Sequence, residues 1–252
     1  MIQEYYHSFI YIWIIFGLIL FPVLLKIPAP YGRHNRKGWG PSLPNKAGWI
    51  IMELPALLVF IIFFFSGATA PSGITWLFFG IWFLHYTNRS IFYPLRTKTK
   101  NKKMPVVIIA FALIFNLVNG FINGFYFGNI RPVYDLTWLY DPRFILGFLV
   151  FITGMLINIR SDGILLSLRK NSSQGYSIPN GGMFRYISCP NFLGEIIEWF
   201  GFAIMSWSPA ALAFALWTVF NLIPRALDHH NFYKDRFEEY PSERRAIIPF
   251  VL

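Results

Sequence analysis

The sequence predicts an all-α integral membrane protein with seven transmembrane helices, the N-terminus outside and the C-terminus in the cytosol. Three observations predict it. The 252 residues are 55% hydrophobic and only 13% charged, about half the roughly 25% charge of a soluble domain, and mean hydropathy is +0.47. In the long runs the apolar residues circle the whole helix instead of forming one stripe, which a water-soluble helix would not show. All lysines and arginines except Arg131 and Arg143 fall in alternate connections between those runs, as the positive-inside rule requires. The composition excludes a disordered chain, a nucleic-acid-binding arm and most soluble enzymes.

The predicted spans are Ser8 to Leu25, Trp49 to Phe65, Ile74 to Thr87, Val106 to Phe127, Phe144 to Ile159, Phe192 to Trp207 and Ala210 to Ile223. Several are shorter than the roughly 20 residues that cross a bilayer, and each can extend by a turn into its polar flank. The first has no Lys or Arg before it and no small-x-small site after it, so it reads as a span and not as a cleavable signal peptide. No polar linker divides the chain, so 1–252 reads as a single domain. The loop from Tyr31 to Lys46 reads as irregular, and Gly128 to Pro142 as a plain connector. In the polar stretch from Arg160 to Pro190, Gly181-Gly182 marks a backbone turn. The basic run Lys98 to Lys103 suits anionic lipid. Cys189 is the single cysteine, which excludes an internal disulfide and a multi-cysteine zinc site.

An ionisable residue at mid-bilayer costs about 2.5–3.5 kcal/mol on insertion scales, so those present are functional suspects. Glu53 lies in the second span two residues before Pro55, which should disturb the helix; a surface position for Glu53 stays open if the span begins later. Tyr86, Arg89 and Tyr93 share one helical face, and Tyr86 reads equally as an interface belt residue or a site residue. Asn116, Asn119 and Asn123 form a polar stripe, read slightly more as inter-helix hydrogen bonding than as cavity lining. Asn158 and Asp162 face the same way, with Arg169 seven residues on. Asn191, Glu195, Glu198 and Trp199 make a polar and aromatic face on the sixth span. Arg225, Asp228, His229, His230 and Tyr233 close the last. Together these groups read as one polar cavity open to the cytosol. Its donors suit phosphates, ribose and amides and its carboxylates suit ribose hydroxyls, so a nucleotide-containing cofactor fits. No GxGxxG or GxxxxGK[ST] occurs, which removes the Rossmann turn and the P-loop. No metal site is expected, a pairing of Asp228 with one histidine being weak.

The chain resembles the membrane steroid 5α-reductases, most closely the type 2 form. The resemblance rests on Glu53-Leu54-Pro55; on Leu84-His85-Tyr86 with Arg89 and Tyr93; on Asn158-Ile159 with Ser161-Asp162; and on Ile178-Pro179 with Gly181-Gly182. It continues through Asn191 to Trp199, Arg225-Ala226, His229-His230, Phe232-Tyr233 and Ile248-Pro249-Phe250. It implies a seven-helix enzyme that uses NADPH to reduce the C4–C5 double bond of 3-oxo-Δ4 steroids. Glu53 and Tyr86 would bind the C3 carbonyl. Asn158, Asp162, Arg169, Tyr176, Asn191, Glu195, Arg225, His229 and Tyr233 would hold the cofactor, with Arg89 and Tyr93 near it and Trp199 on the same face of the sixth span. Met52, Ser177 and Asp228 depart from the family pattern at positions that bear on substrate choice and cofactor affinity.

Conjugate reduction places negative charge on the carbonyl oxygen, so donors aimed at that oxygen stabilise the transition state. Tyr86 can donate its phenol proton. Glu53 can donate only as the neutral acid, which burial favours. The enolate then takes a proton at C4 from water or a nearby acid. The expected partners are a hydrophobic enone and membrane lipid, with no nucleic acid and no obligate protein partner. The expected location is the endoplasmic reticulum membrane in a eukaryote or the inner membrane in a bacterium. The alternatives are a membrane S-adenosylmethionine-dependent methyltransferase of lipid or isoprenyl-cysteine, a transporter, or a reductase of another sterol or lipid enone.

Overall fold

A computed structural model describes residues 2–27, 38–68, 71, 73–97, 102–130, 134–171 and 177–252. The described chain is mostly helical and divides into two compact units. The first comprises Met1–His7 and Ala29–Asp141, the second Ser8–Pro28 and Pro142–Leu252. All seven predicted segments are helical: α1 (Ile2–Lys26), α2 (Asn45–Phe64), α3 (Thr75–Thr87), α5 (Val106–Phe125), α6 (Pro142–Asn171), α7 (Pro190–Ser206) and α8 (Pro209–Arg236), with a short α4 (Tyr93–Arg96) after α3. Among the described residues, five helices are long and apolar enough to cross a membrane: α1, α2, α5, α6 and α8. The other two predicted spans correspond to α3, of 13 residues, and α7, of 17 residues. Large apolar side chains such as Ile12, Ile19 and Ile62 are exposed, as on a lipid-facing surface.

In the first unit, three-residue strands β1 (Ser42–Pro44) and β2 (Lys103–Pro105) pair antiparallel, Leu43 opposite Met104. Each strand runs directly into a helix, so the ribbon sets the starts of α2 and α5 beside each other. From there the two helices ascend together, because Gly120, Gly124 and Gly128 lie in turn against the backbones of Ala56, Phe60 and Phe63. A Cβ at Gly124 would sit 2.5 Å from the Phe60 carbonyl oxygen. This small-xxx-small pattern allows close backbone approach in apolar surroundings. Tyr6 of α1 joins this unit by donating to the Ile122 carbonyl oxygen at 2.5 Å.

α3 does not end at Thr87. The chain continues through a π-helical turn (Asn88–Phe92) into α4. Single π turns inside helices often mark functional sites. The stretch from Gly128 to Pro142, expected to be a plain connector, carries its own structure. Asp135 caps a 3₁₀ turn (Leu136–Tyr140) by accepting from the Thr137 backbone N–H at 2.9 Å. The Thr137 hydroxyl bond holds the Asp135 carboxyl below the usual range, while burial pushes the neighbouring Tyr134 phenol up.

In the second unit α6 and α7 run antiparallel at very short range. Gly147 faces Met205, Gly201 faces Phe151, Gly154 faces Glu198 and Gly194 faces Asn158. α7 and α8 form a tight hairpin. Trp207 takes a left-handed conformation (φ 45°), Ser208 caps α8 by accepting from the Ala211 N–H at 3.3 Å, and Pro209 occupies the first turn, where its missing donor is harmless. The α1 segment of this unit stacks Trp13 on Trp217 of α8 at 4.6 Å, and the Trp217 indole donates to the Trp13 carbonyl at 3.0 Å. Gly181 and Gly182 have φ of 91° and 53°, which fulfils the turn expected there.

Gly194→Ala should destabilise the protein, because the new methyl would lie 2.5 Å from the Asn158 backbone nitrogen. The expected cost is about 1–3 kcal/mol, read as a lower thermal midpoint in detergent. Gly163→Ala, where no atom lies within 4 Å of the added carbon, should leave the midpoint unchanged.

Candidate functional site

The polar residues of the first unit assemble around the Pro55 turn of α2. Proline removes one backbone donor inside the helix, and α5 offers amide donors beside that turn. Asn116 Nδ2 donates to the Met52 carbonyl at 2.6 Å and lies 3.5 Å from Glu53 Oε2. The Trp82 indole donates to the Ala56 carbonyl at 3.1 Å. Glu53 is only 13% exposed, and Arg89, 19% exposed, brings its Nε to 3.9 Å from Glu53 Oε1. A countercharge is thus present beside a carboxylate in an apolar helix. The Arg89 guanidinium also lies 5.1 Å from the Trp49 ring and 5.8 Å from the Tyr93 ring, within cation–π range.

Tyr86 is buried, 3% exposed. Its hydroxyl accepts from Asn119 Nδ2 at 2.9 Å, and Asn119 accepts in turn from Asn123 Nδ2 at 3.0 Å. Tyr86 is therefore held on the protein side, with Trp82 packed at 4.8 Å, and does not sit as an exposed belt residue. Asn116 and Asn119 bond to other helices, whereas Asn123 bonds within α5 to Asn119. Trp49 escaped notice in the sequence, where an aromatic at a helix start reads as an interface anchor.

In the second unit the close α6–α7 contact sets Asn158 and Asp162 against Asn191. Asn158 Nδ2 donates to the Asn191 carbonyl at 3.0 Å, and Asn191 Nδ2 donates to Asp162 Oδ1 at 3.2 Å. Glu195 is half-buried one turn beyond Asn191. His229 packs on Phe192 at 5.6 Å, and Arg225 is half-buried just after Pro224. Tyr233 is buried and stacks on Tyr240 at 5.5 Å. Trp199 is fully buried against Phe214 and Phe202, so its contacts are with core rings. The Arg169 side chain and Tyr176 lie outside the described residues. Among the described residues, no cluster of three or more His, Cys, Asp or Glu could hold a metal.

Sequence reading missed a further network. Ser188 Oγ lies 2.6 Å from both His230 Nδ1 and Tyr240 Oη, and its hydroxyl reaches the Arg245 carbonyl at 3.1 Å. Burial pushes the Tyr240 phenol up, against its bond with Ser188 and the nearby Arg244 charge. Arg244, 4% exposed, donates to the Pro179 carbonyl at 3.0 Å and to Asn180 Oδ1 at 2.7 Å. Backbone bonds from Tyr186 to Ala246 complete the seam, so the C-terminal segment pins the turn before Gly181-Gly182. These partners lie 42 to 65 residues apart, and no local pattern signals them.

A family model described as 3-oxo-5-alpha-steroid 4-dehydrogenase matches residues 102–252. Steroid 5-alpha-reductase DET2 of Arabidopsis thaliana is 45% identical over 237 residues, 91% of this chain and 90% of that protein. 3-oxo-5-alpha-steroid 4-dehydrogenase 1 of Bos taurus is 39% identical over 240 residues, with 94% and 93% coverage. The Homo sapiens protein of the same name is 38% identical over 238 residues, with 93% and 91% coverage. The chain belongs to the 3-oxo-5-alpha-steroid 4-dehydrogenase family and is an enzyme, an oxidoreductase of the steroid 5-alpha-reductase type. That sets aside the methyltransferase and transporter readings.

Arg244→Gln should loosen the turn at Pro179–Asn180 by removing charge-assisted bonds worth roughly 1.5–3 kcal/mol each. Faster proteolysis after residue 177 and a lower thermal midpoint are the expected results. Tyr240→Phe should cost less, since Ser188 keeps His230 and the Arg245 carbonyl as partners.

Proposed function

We propose that the enzyme reduces the C4–C5 double bond of a 3-oxo-Δ4 steroid, or a closely similar lipid enone, with NADPH as cofactor. The observation that carries this reading is the Glu53–Arg89 and Tyr86–Asn119 pair of contacts inside otherwise apolar helices. The names of the relatives support the substrate class.

The second unit's donor set fits a dinucleotide. Asn158 and Asp162 of α6 and Asn191 of α7 are already ordered into a hydrogen-bonded chain, with Glu195 also on α7 and Arg225, His229 and Tyr233 on α8. In this reading the carboxylates take ribose hydroxyls and the arginines, with Arg169, take phosphate. By the resemblance alone, Tyr176, Arg89, Tyr93 and Trp199 join the cofactor set. When bound, NADPH supplies the hydride that reaches C5.

The first unit acts on the carbonyl. Tyr86 donates a hydrogen bond to the C3 oxygen, and Glu53, the carboxylate beside Arg89, donates one to the same oxygen only after taking up a proton. Both donations strengthen as that oxygen gains charge, which is where stabilisation lowers a barrier. Apolar walls exclude water and so strengthen those bonds. The enolate is then protonated at C4 by water or a nearby acid. The chain works as one seven-span reductase domain with its N-terminus outside, its C-terminus cytosolic and its cofactor entering from the basic cytosolic side. In a eukaryotic cell this places it in the endoplasmic reticulum membrane, and in a bacterium in the inner membrane.

Purified protein should consume NADPH when given 3-oxo-Δ4 steroids and yield the 5α-reduced product. A protein that binds S-adenosylmethionine but quenches no NADPH fluorescence would overturn the reading. Tyr86→Phe should lower kcat roughly 10²-fold, the usual cost of one donor to a developing oxyanion. Glu53→Gln should also lower kcat, and its retention of full activity would remove the acid role.

A further inference from the structure

We infer that Asn123 and Asn119 are positioning residues that fix the polarity of Tyr86, turning its phenol into a donor toward the substrate. The inference rests on the reading of Tyr86 as the carbonyl donor and extends it to the residues that aim it.

The direction of each bond follows from a single anchor. Asn123 Nδ2 lies 3.1 Å from the Asn119 backbone oxygen and 3.0 Å from Asn119 Oδ1. A backbone carbonyl can only accept, so the end of Asn123 that faces it is the NH₂ group. That NH₂ also donates to Asn119, so the facing atom of Asn119 is its oxygen. The other end of Asn119 is then its NH₂, and it faces the Tyr86 hydroxyl at 2.9 Å. An amide NH₂ can only donate, so the Tyr86 oxygen accepts here. The phenol hydrogen is not spent in this bond. Side-chain amides are usually oriented by inference from their network; here a group with no choice of role fixes the whole chain.

Two further observations favour a directional purpose over simple helix adhesion. Asn119 and Asn123 are 1% and 0% exposed. Asn123 Oδ1 is buried with no hydrogen-bond partner, a costly state in apolar surroundings. A residue kept only for packing would not carry that oxygen. It is the unavoidable other end of an amide whose NH₂ is used twice. Gly120 and Gly124, each next to one of these asparagines, bring α5 against α2.

Asn119→Asp reverses the bond, since a carboxylate accepts the phenol hydrogen. It should lower kcat roughly 10²-fold, with the NADPH dissociation constant measured by fluorescence unchanged. Asn123→Leu releases Asn119 to rotate and should lower kcat by a smaller factor. The deciding measurement is a double-mutant cycle in the purified full-length chain. In a Tyr86→Phe background, Asn119→Asp should cause no further loss, because residues that act as one unit are not additive. An additive loss in that background, or wild-type kcat in Asn119→Asp, overturns the inference while leaving Tyr86 as the donor. Full activity in Tyr86→Phe overturns the donor reading and the inference with it. If Asn119→Asp fails to bind NADPH and so is not folded, Asn123→Leu is read in the same cycle with the same outcomes.

Discussion

A polar group inside apolar helices has no water to turn to and must find its partner within the protein. In the first unit this constraint accounts for nearly every contact described. Pro55 removes a backbone donor, and Asn116 brings an amide to the neighbouring carbonyl of Met52. Glu53 has Arg89, and the Arg89 charge rests on the Trp49 ring. The short Ser90 hydroxyl closes on its own turn, donating to the Tyr86 carbonyl. Each of these bonds needs a neighbouring helix, or the preceding turn of the same one, at a fixed distance.

Glycine supplies that distance. With no side chain between α2 and α5, an asparagine of ordinary length can reach a backbone carbonyl on the facing helix. α6 and α7 repeat the device with a different arrangement of glycines, and there it delivers Asn158 to Asn191. The chemistry-bearing residues are therefore placed by the residues with the least chemistry.

The sequence carried the helical segments and most of the polar residues of the site plainly. Glu53, Tyr86, Arg89 and the asparagine stripe stand out because charge and amide are costly in lipid. What it did not carry was partnership. Nothing local states that Asn119 meets Tyr86, 33 residues away, or that Arg244 meets Pro179. The β1–β2 ribbon is too short for an alternating pattern, and the π turn at Asn88–Phe92 has no composition of its own. α6 and α8 run on beyond the apolar stretch, α6 through Gly163 and α8 through Pro224, residues that would be read as helix ends. Trp207, left-handed despite its bulk, runs against the preference of its type, and the Arg143 guanidinium lies 5.1 Å over its ring.

The glycine seam between α6 and α7 also sets which kinds of genetic change this enzyme can absorb. One residue added or lost between Gly147 and Asn158 would turn everything beyond it by about 100°. The remaining glycines would swing out of the seam, bulky neighbours would swing in, and Asn158 would point away from Asn191. Substitutions toward lipid leave that angular phase untouched. Length in this stretch is consequently frozen while its outward face remains free to drift, and insertions are confined to the connections.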